Sequence, residues 1–181
     1  MYRDIVEFAQ GAPAWLHAFA ETGTDAGLFV FAALFVLAWW RARKGTPRDM
    51  ALVLLGPAAV VAVYLTSELI KILVREERPC RGLTTTIAAC PPVGDWSFPS
   101  NHAVIAAAAA GTLVLAWRAL AAFVLPLAAL MAFSRVFVGV HYPHDVIAGF
   151  LLGVIAAPLL VLLLTGAVTP VVRRLGLARA S

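Results

Sequence analysis

The sequence predicts an all-α integral membrane bundle of about five transmembrane helices, with an N-terminal interfacial helix beside it. Three observations predict it. The chain is 62% hydrophobic and 13% charged, against about 45–50% and about 25% in soluble domains. Five apolar stretches, at about 25–41, 49–73, 102–117, 119–138 and 146–167, approach the ~20 residues that a spanning helix needs. Lysine and arginine gather in the short connections that five such helices place on one side.

The first element is different. In residues 1–22, Ile5, Phe8, Ala12, Leu16 and Phe19 recur at helical spacing, while Asp4, Glu7, His17 and Glu21 fall elsewhere. This pattern fits an amphipathic helix lying in the interface better than a sixth span, although its polar face is acidic and Gly11 and Pro13 interrupt it. It lacks the basic start and unbroken apolar run of a cleavable signal. Pro57, Pro126 and Pro158 fall inside the second, fourth and fifth spans, where each predicts a kink covered by neighbouring helices. Ala106–Ala110 and Gly111 give the third span a small-residue face for close packing. Residues 168–181 read as a cytoplasmic tail, and 1–181 as one domain.

Orientation follows from Arg41, Arg43, Lys44 and Arg48 in the first loop, Arg118 in a tight turn, and Arg173, Arg174 and Arg179 in the tail. Five spans put all of these on one side, read as cytoplasmic. Trp39, Trp40 and Trp117 then sit at the inner interface and Trp15 and Trp96 at the outer one. The net charge of +4 is not arranged as a patch or stripe, so nucleic acid is not an expected partner; the lipid bilayer is. Cys80 and Cys90 flank a short outward loop. A disulfide suits an oxidising side, and two free thiols are the other reading. No Cys/His spacing suggests zinc and no carboxylate cluster suggests magnesium, so neither metal nor cofactor is expected.

Three motifs, all at helix ends on the outward face, need an explanation in a chain this poor in charge. Lys71 is followed by Arg78-Pro79; two helical turns would align the two cations if the helix continued that far. Snorkelling, with Glu68 as ion-pair partner, is the structural alternative. Arg75 and Arg81 read as interface anchors. Pro99-Ser100-Asn101-His102 opens the third span. Ser100 is a natural N-cap, and the free N–H groups behind it form an anion site. Ser134-Arg135 is followed by His141 and Asp145. The four-residue gap lets the Asp145 carboxylate hold one ring nitrogen of His141 and leave the other free as nucleophile or base. His144 reads as a neighbour, and His17 as an interfacial residue. Three cations, two imidazoles and one carboxylate are what phosphate-ester cleavage through a histidine nucleophile requires.

These residues resemble the signature of the type 2 phosphatidic acid phosphatase (PAP2) superfamily: Lys71…Arg78-Pro79, Pro99-Ser100-Asn101-His102, and Ser134-Arg135…His141…Asp145. The departure is Asn101, where the family usually carries Gly or Asp. The resemblance implies a metal-independent phosphatase. In it Lys71, Arg78, Arg135, Ser100 and Asn101 with its neighbouring N–H groups would hold the phosphoryl oxygens. His141 would attack phosphorus, oriented by Asp145, and His102 would protonate the leaving oxygen. The short chain and five-span layout look most similar to bacterial undecaprenyl (polyprenyl) diphosphate phosphatases. A polyprenyl or glycerolipid phosphate is therefore the expected substrate, with phosphatidic acid, phosphatidylglycerol phosphate and polyprenyl-phosphoribose phosphate as alternatives. A non-catalytic lipid-binding relative and an anion transporter are the readings from other classes. The sequence leaves the oligomeric state open.

Overall fold

The computed structural model describes residues 2–82 and 86–178. It contains α1 (Tyr2–Gln10), α2 (Ala14–Ala42), α3 (Pro47–Val74), α4 (Asn101–Ala116), α5 (Ala121–Phe137) and α6 (Pro143–Arg174), with no strand among the described residues. Helices α2, α3 and α6, and α5 with the 3-10 turn before it, are long and apolar enough to cross a membrane; α4 is a shorter apolar helix. The protein is a multi-pass membrane protein, and the five predicted spans are α2 to α6.

Three boundaries differ from expectation. The first 22 residues are not one interfacial helix. Pro13 has no N–H and disfavours helical geometry at Ala12, so α1 stops at Gln10. Pro13 then takes the N-cap position of α2, and residues 14–22 become the first turns of that long helix. Helix α1 keeps the amphipathic character. It buries Val6 and Ala9, and the Tyr2 hydroxyl donates to the Gly139 carbonyl at 2.9 Å. At the other end α6 continues to Arg174 with Pro170 inside it, so half of the expected tail is helix; Arg179 lies outside the described residues. Helix α3 is closed at its start by Pro47 and a Thr46/Asp49 capping box. It ends where Arg75 turns left-handed (φ 53°) and donates its N–H to the Lys71 carbonyl. Arg78 therefore sits in the loop beyond α3, not two turns along it.

Helix α4 is the buried centre. Ala103, Val104, Ala106, Ala107, Ala108, Ala110 and Leu113 are wholly inside, and α2, α3, α5 and α6 all pack on it. The alanine run thus serves close approach, as its composition predicts. Its counterpart on α6 is the pair Gly149 and Gly153, a GxxxG spacing. A Cβ on Gly149 would come 2.7 Å from the Ser100 carbonyl oxygen, and one on Gly153 would collide with the α4 backbone at Val104 and Ala108. This contact brings the start of α6 against the start of α4, where the Ser100 N–H donates to the Asp145 carbonyl at 3.1 Å.

The two ends of the bundle differ in chemistry. At one, the Arg41 guanidinium lies over Trp117, 5.3 Å from the ring centre, and Arg48 and Arg173 line a common crevice. The other end carries the starts of α4 and α6 and the ends of α3 and α5, hence all three motifs.

Gly153→Ala should lower the melting temperature of detergent-purified protein, because backbone atoms cannot yield as a side chain would; overpacking of this kind costs about 1–3 kcal/mol. Gly166 faces open space, so Gly166→Ala should leave it unchanged or raise it. Equal effects of the two variants would show that the α4–α6 contact is not the constraint.

Candidate active site

The local chain course explains how the side chains meet. His141 follows a turn in which Gly139 adopts φ 85°, a value that L side chains rarely take. The N–H groups of Val140 and His141 both donate to the Arg135 carbonyl at 3.2 Å. This turn hangs His141 directly beneath the end of α5. Asp145 sits in the first turn of α6, behind Pro143 at the start, where a carboxylate suits the positive end of a helix.

His141 and Asp145 form the buried core of the site. The Asp145 Oδ2 atom lies 3.3 Å from His141 Nδ1, and accepts from the Tyr142 N–H at 2.8 Å and from Ser97 Oγ at 2.5 Å. Three donors offset the cost of burying this carboxylate. On the other side of the ring, Arg78 Nη1 lies 3.0 Å from His141 Nε2. A guanidinium only donates, so Nε2 must accept and the ring proton must sit on Nδ1, toward Asp145. The resting tautomer leaves a lone pair on Nε2. Burial drives the His141 pKa down to about 4, and the neighbouring Arg78 and Lys71 add to this against the pull of Asp145. The ring is neutral at physiological pH.

The cations of the first motif converge although the helix between them is broken. Lys71 and Arg78 are both buried and both reach the loop before α4. Lys71 Nζ donates to the Trp96 carbonyl at 2.9 Å and lies 3.4 Å from Asp95 Oδ1. Arg78 donates through Nη2 to Asp95 Oδ1 and through Nε to the Asp95 carbonyl, both at 2.9 Å, and through Nη1 to the Val140 carbonyl at 3.1 Å. The partner of Lys71 is thus Asp95, not Glu68. Burial alone would raise the Asp95 carboxyl pKa, but Arg78 and Lys71 outweigh it and hold it below the usual carboxylate range.

The second motif divides. Ser100 occupies the N-cap position of α4, yet its side chain makes no capping bond. Its Oγ is buried and unpartnered, as is Arg135 Nε; with Asp145 Oδ1 these are the buried side-chain polar atoms left without a hydrogen bond among the described residues. Asn101 does not join the group. Its Nδ2 donates to Glu68 Oε1 at 2.5 Å and its Oδ1 accepts from Ser67 at 3.0 Å, so the side chain ties α4 to α3, and only its backbone stays at the helix start. His102 is half-buried and points its Nε2 at Asp25 Oδ1, 3.0 Å away. His144 lies 2.8 Å from Glu76 and 3.2 Å from Asp145 Oδ1, closer to the site than a bystander. His17 instead lies against the Ala9 carbonyl at 2.7 Å.

Sequence reasoning missed Asp25, Asp95 and Ser97. Asp25 carried a signal, being an ionisable residue within an apolar helix. Asp95 and Ser97 lie in an irregular loop, where no periodicity marks them. Cys80 and Cys90 are joined in a disulfide, which decides between the two readings of that pair and closes part of the same loop.

The sequence model of the PAP2 superfamily matches residues 51–168. The chain belongs to the PAP2 superfamily. It is similar to the undecaprenyl-diphosphatase of Sulfolobus acidocaldarius, 40% identical over 97 residues, which is 52% of this chain and 46% of that protein. It is also similar to the decaprenylphosphoryl-5-phosphoribose phosphatase of Mycobacterium tuberculosis, 38% identical over 111 residues, 59% of this chain and 58% of the relative. The matches thus span about half the length of these curated relatives. In three dimensions it resembles the PAP2-type phosphatidylglycerolphosphate phosphatase of Bacillus subtilis, with a TM-score of 0.60, 23% identity, and coverage of 92% of this chain and 83% of that one. That likeness carries the PAP2 fold. All three signature motifs fall inside the matched region, and Asp25 falls outside it.

The buried His141 ring gives a pH dependence whose sign is fixed. An unfolded imidazole binds a proton near pH 6.5, whereas this one does so near 4. Between these values the unfolded chain holds the extra proton, so stability should fall as pH drops from 6.5 toward 4. His141→Asn removes that term. The melting-temperature difference, wild type minus variant, should shrink across this window; a constant difference would assign the dependence to other groups.

Proposed function

We propose that this protein is a lipid phosphatase that releases phosphate from a polyprenyl diphosphate through a phosphohistidine. Phosphoryl oxygens would be held by Lys71, Arg78 and Arg135, with the Ser100 hydroxyl and the first N–H groups of α4. His141 Nε2 would attack phosphorus while Asp145 holds Nδ1, and His102 would give a proton to the leaving oxygen. Water, deprotonated by the now neutral His102, would then release phosphate from His141. PAP2 membership supports the reaction class.

One observation carries the reading. Ser100 Oγ and Arg135 Nε are buried donors with no acceptor, and backbone bonds tie both residues to the His141–Asp145 pair. Their neighbours across those bonds are Asp145 and His141 themselves. Leaving buried donors unmade costs about 1–3 kcal/mol each, and an anion carrying several oxygens would satisfy both. The acceleration of phosphate-ester hydrolysis must come mainly from positioning and charge stabilisation, which three cations and a helix start supply from protein groups alone. Preference for a polyprenyl substrate is supported by the two curated relatives, both named for polyprenyl compounds.

The site belongs, on this reading, to the extracytoplasmic face of a bacterial plasma membrane. The opposite end of the bundle gathers Arg41, Arg48 and Arg173, as cytoplasmic ends do. The Cys80–Cys90 disulfide beside the site suits an oxidising compartment.

Purified protein should release phosphate from undecaprenyl diphosphate faster than from phosphatidic acid or phosphatidylglycerol phosphate, and EDTA should not slow it. His141→Ala should abolish turnover. Arg135→Ala should cost about 10²–10³-fold, the usual loss for one charge-stabilising donor. Preference for a glycerolipid would change the substrate but keep the chemistry, whereas normal turnover by folded His141→Ala would remove the mechanism. Orientation has its own check. In intact cells carrying Cys80→Ser, a membrane-impermeant maleimide should label Cys90; labelling only after lysis would invert the topology.

A further inference from the structure

Helix α2 enters the site from outside the region that the PAP2 model matches, and it does so at a fixed point. Thr24 Oγ1 and Ser134 Oγ lie 2.5 Å apart, both buried. Thr24 Oγ1 also lies 2.7 Å from the Ala20 carbonyl and Ser134 Oγ 2.8 Å from the Met131 carbonyl, so one hydroxyl donates to its own helix while the other donates across to it. One turn along, a Cβ on Gly27 would meet the Met131 side chain at 2.5 Å, so the two helices are in close contact there. The residue after Thr24 is Asp25, and the residue after Ser134 is Arg135. The clasp therefore brings a carboxylate from α2 to the mouth of the site, where its Oδ1 is 3.0 Å from His102 Nε2.

We propose that Asp25 is the positioning residue for His102 as proton donor. This rests on the reading of the site given above. In the proposed first step an N–H bond of the His102 imidazolium breaks and an O–H bond forms on the leaving oxygen. That oxygen keeps the electron pair of the broken P–O bond, and His102 is left neutral. An imidazole in this role has to carry a proton at the positive end of α4 and close to cations. A carboxylate on the ring supplies the compensating charge and fixes its rotation, as second partners of functional histidines do. The arrangement parallels Asp145 on His141. The two imidazoles differ in exposure: Asp145 and His141 are sealed, whereas Asp25 is 71% exposed and His102 28% exposed in their side chains. A proton donor must be recharged from water in each cycle, and a nucleophile must not be protonated.

The test compares two lipid-like phosphate monoesters in the same detergent: dodecyl phosphate, whose alkoxide leaving group needs a proton, and a dodecyl-substituted nitrophenyl phosphate, whose phenolate does not. Wild type should hydrolyse both and His141→Ala neither. A positioned general acid contributes about 10²–10⁴-fold, so with excess enzyme and in the first step alone, before water enters, Asp25→Asn should slow alcohol release from the alkyl ester about 10- to 100-fold and nitrophenolate release less than about threefold. Asp25→Glu should recover most of the loss. In a His102→Ala background, Asp25→Asn should add nothing further. Retained turnover of the nitrophenyl ester shows that the variant is folded. Equal losses on both esters, no loss on either, or additivity with His102→Ala would each overturn the assignment of Asp25 while leaving the phosphatase reading intact. Failure of wild type to hydrolyse either ester would overturn both.

Discussion

The close approach of α6 to α4 is the constraint on which the site depends. Gly149 and Gly153 let the α6 backbone lie against the α4 backbone, and the alanines of α4 accept it. In a bilayer no hydrophobic force separates helix surfaces from lipid, so association rests on such packing and on interhelical hydrogen bonds. The consequence is chemical as much as structural. It sets the second motif beside the third, so that Ser100, which begins α4, donates its N–H to the backbone of Asp145, which lies in the first turn of α6. A larger residue at either glycine would push the α4 backbone away and so part the two motifs.

Charge is the second constraint. A buried cation in a low-dielectric bundle is costly unless it is paired, and Lys71 and Arg78 are both buried. The loop between α3 and α4 meets this need. Asp95, together with the carbonyls of Asp95, Trp96 and Val140, accepts two hydrogen bonds from Lys71 and three from Arg78. Most of these acceptors are backbone groups, fixed by the chain course. Asp95 is the charged one, and its side chain is 44% exposed. On the α5 side the cation is treated differently. Arg135 keeps a buried Nε with no acceptor. The site thus combines two cations anchored by the fold with a third that keeps a buried donor unpartnered.

Much of this was legible in the sequence because it is written in periodicity and in rare charges. All five spans appear within a few residues of their predicted positions, apart from α2, which gains its first turns from the N-terminal segment, and α6, which runs on through Pro170. Glu21, Asp25 and Arg173 are carried inside long helices here, because a helix satisfies its own backbone whatever its side chains do. The structure links His141 to Asp145 and Arg78, and Arg78 to Lys71 through Asp95. The spacing argument aligned Lys71 and Arg78 along one helix; they meet instead through Asp95, after α3 has ended at Arg75. Asn101 shows the limit of reading a motif position as a role, since its amide serves the α3–α4 contact.

What the sequence did not show is the set of groups that hold the motif residues in place. Ser97, Asp95 and Asp25 come from a loop and from a helix far from the motifs along the chain, and only the packing of α2 on α5 and the course of the α3–α4 loop bring them in. Their common feature is that each touches a motif side chain through a side-chain oxygen. Ser97 and Tyr142 donate to the same Asp145 Oδ2 that faces His141 Nδ1, which fixes the carboxylate against the ring. A carboxylate so constrained leaves the imidazole little freedom of rotation, and the Arg78 contact on the far nitrogen removes the rest. The ring is thus neutral, buried and held at both nitrogens, and in the proposed reaction the Arg78 guanidinium, 3.0 Å from Nε2, has to turn from the ring onto a phosphoryl oxygen. The energetic cost of ordering the site has been met in folding, which is the sense in which positioning can dominate the chemistry.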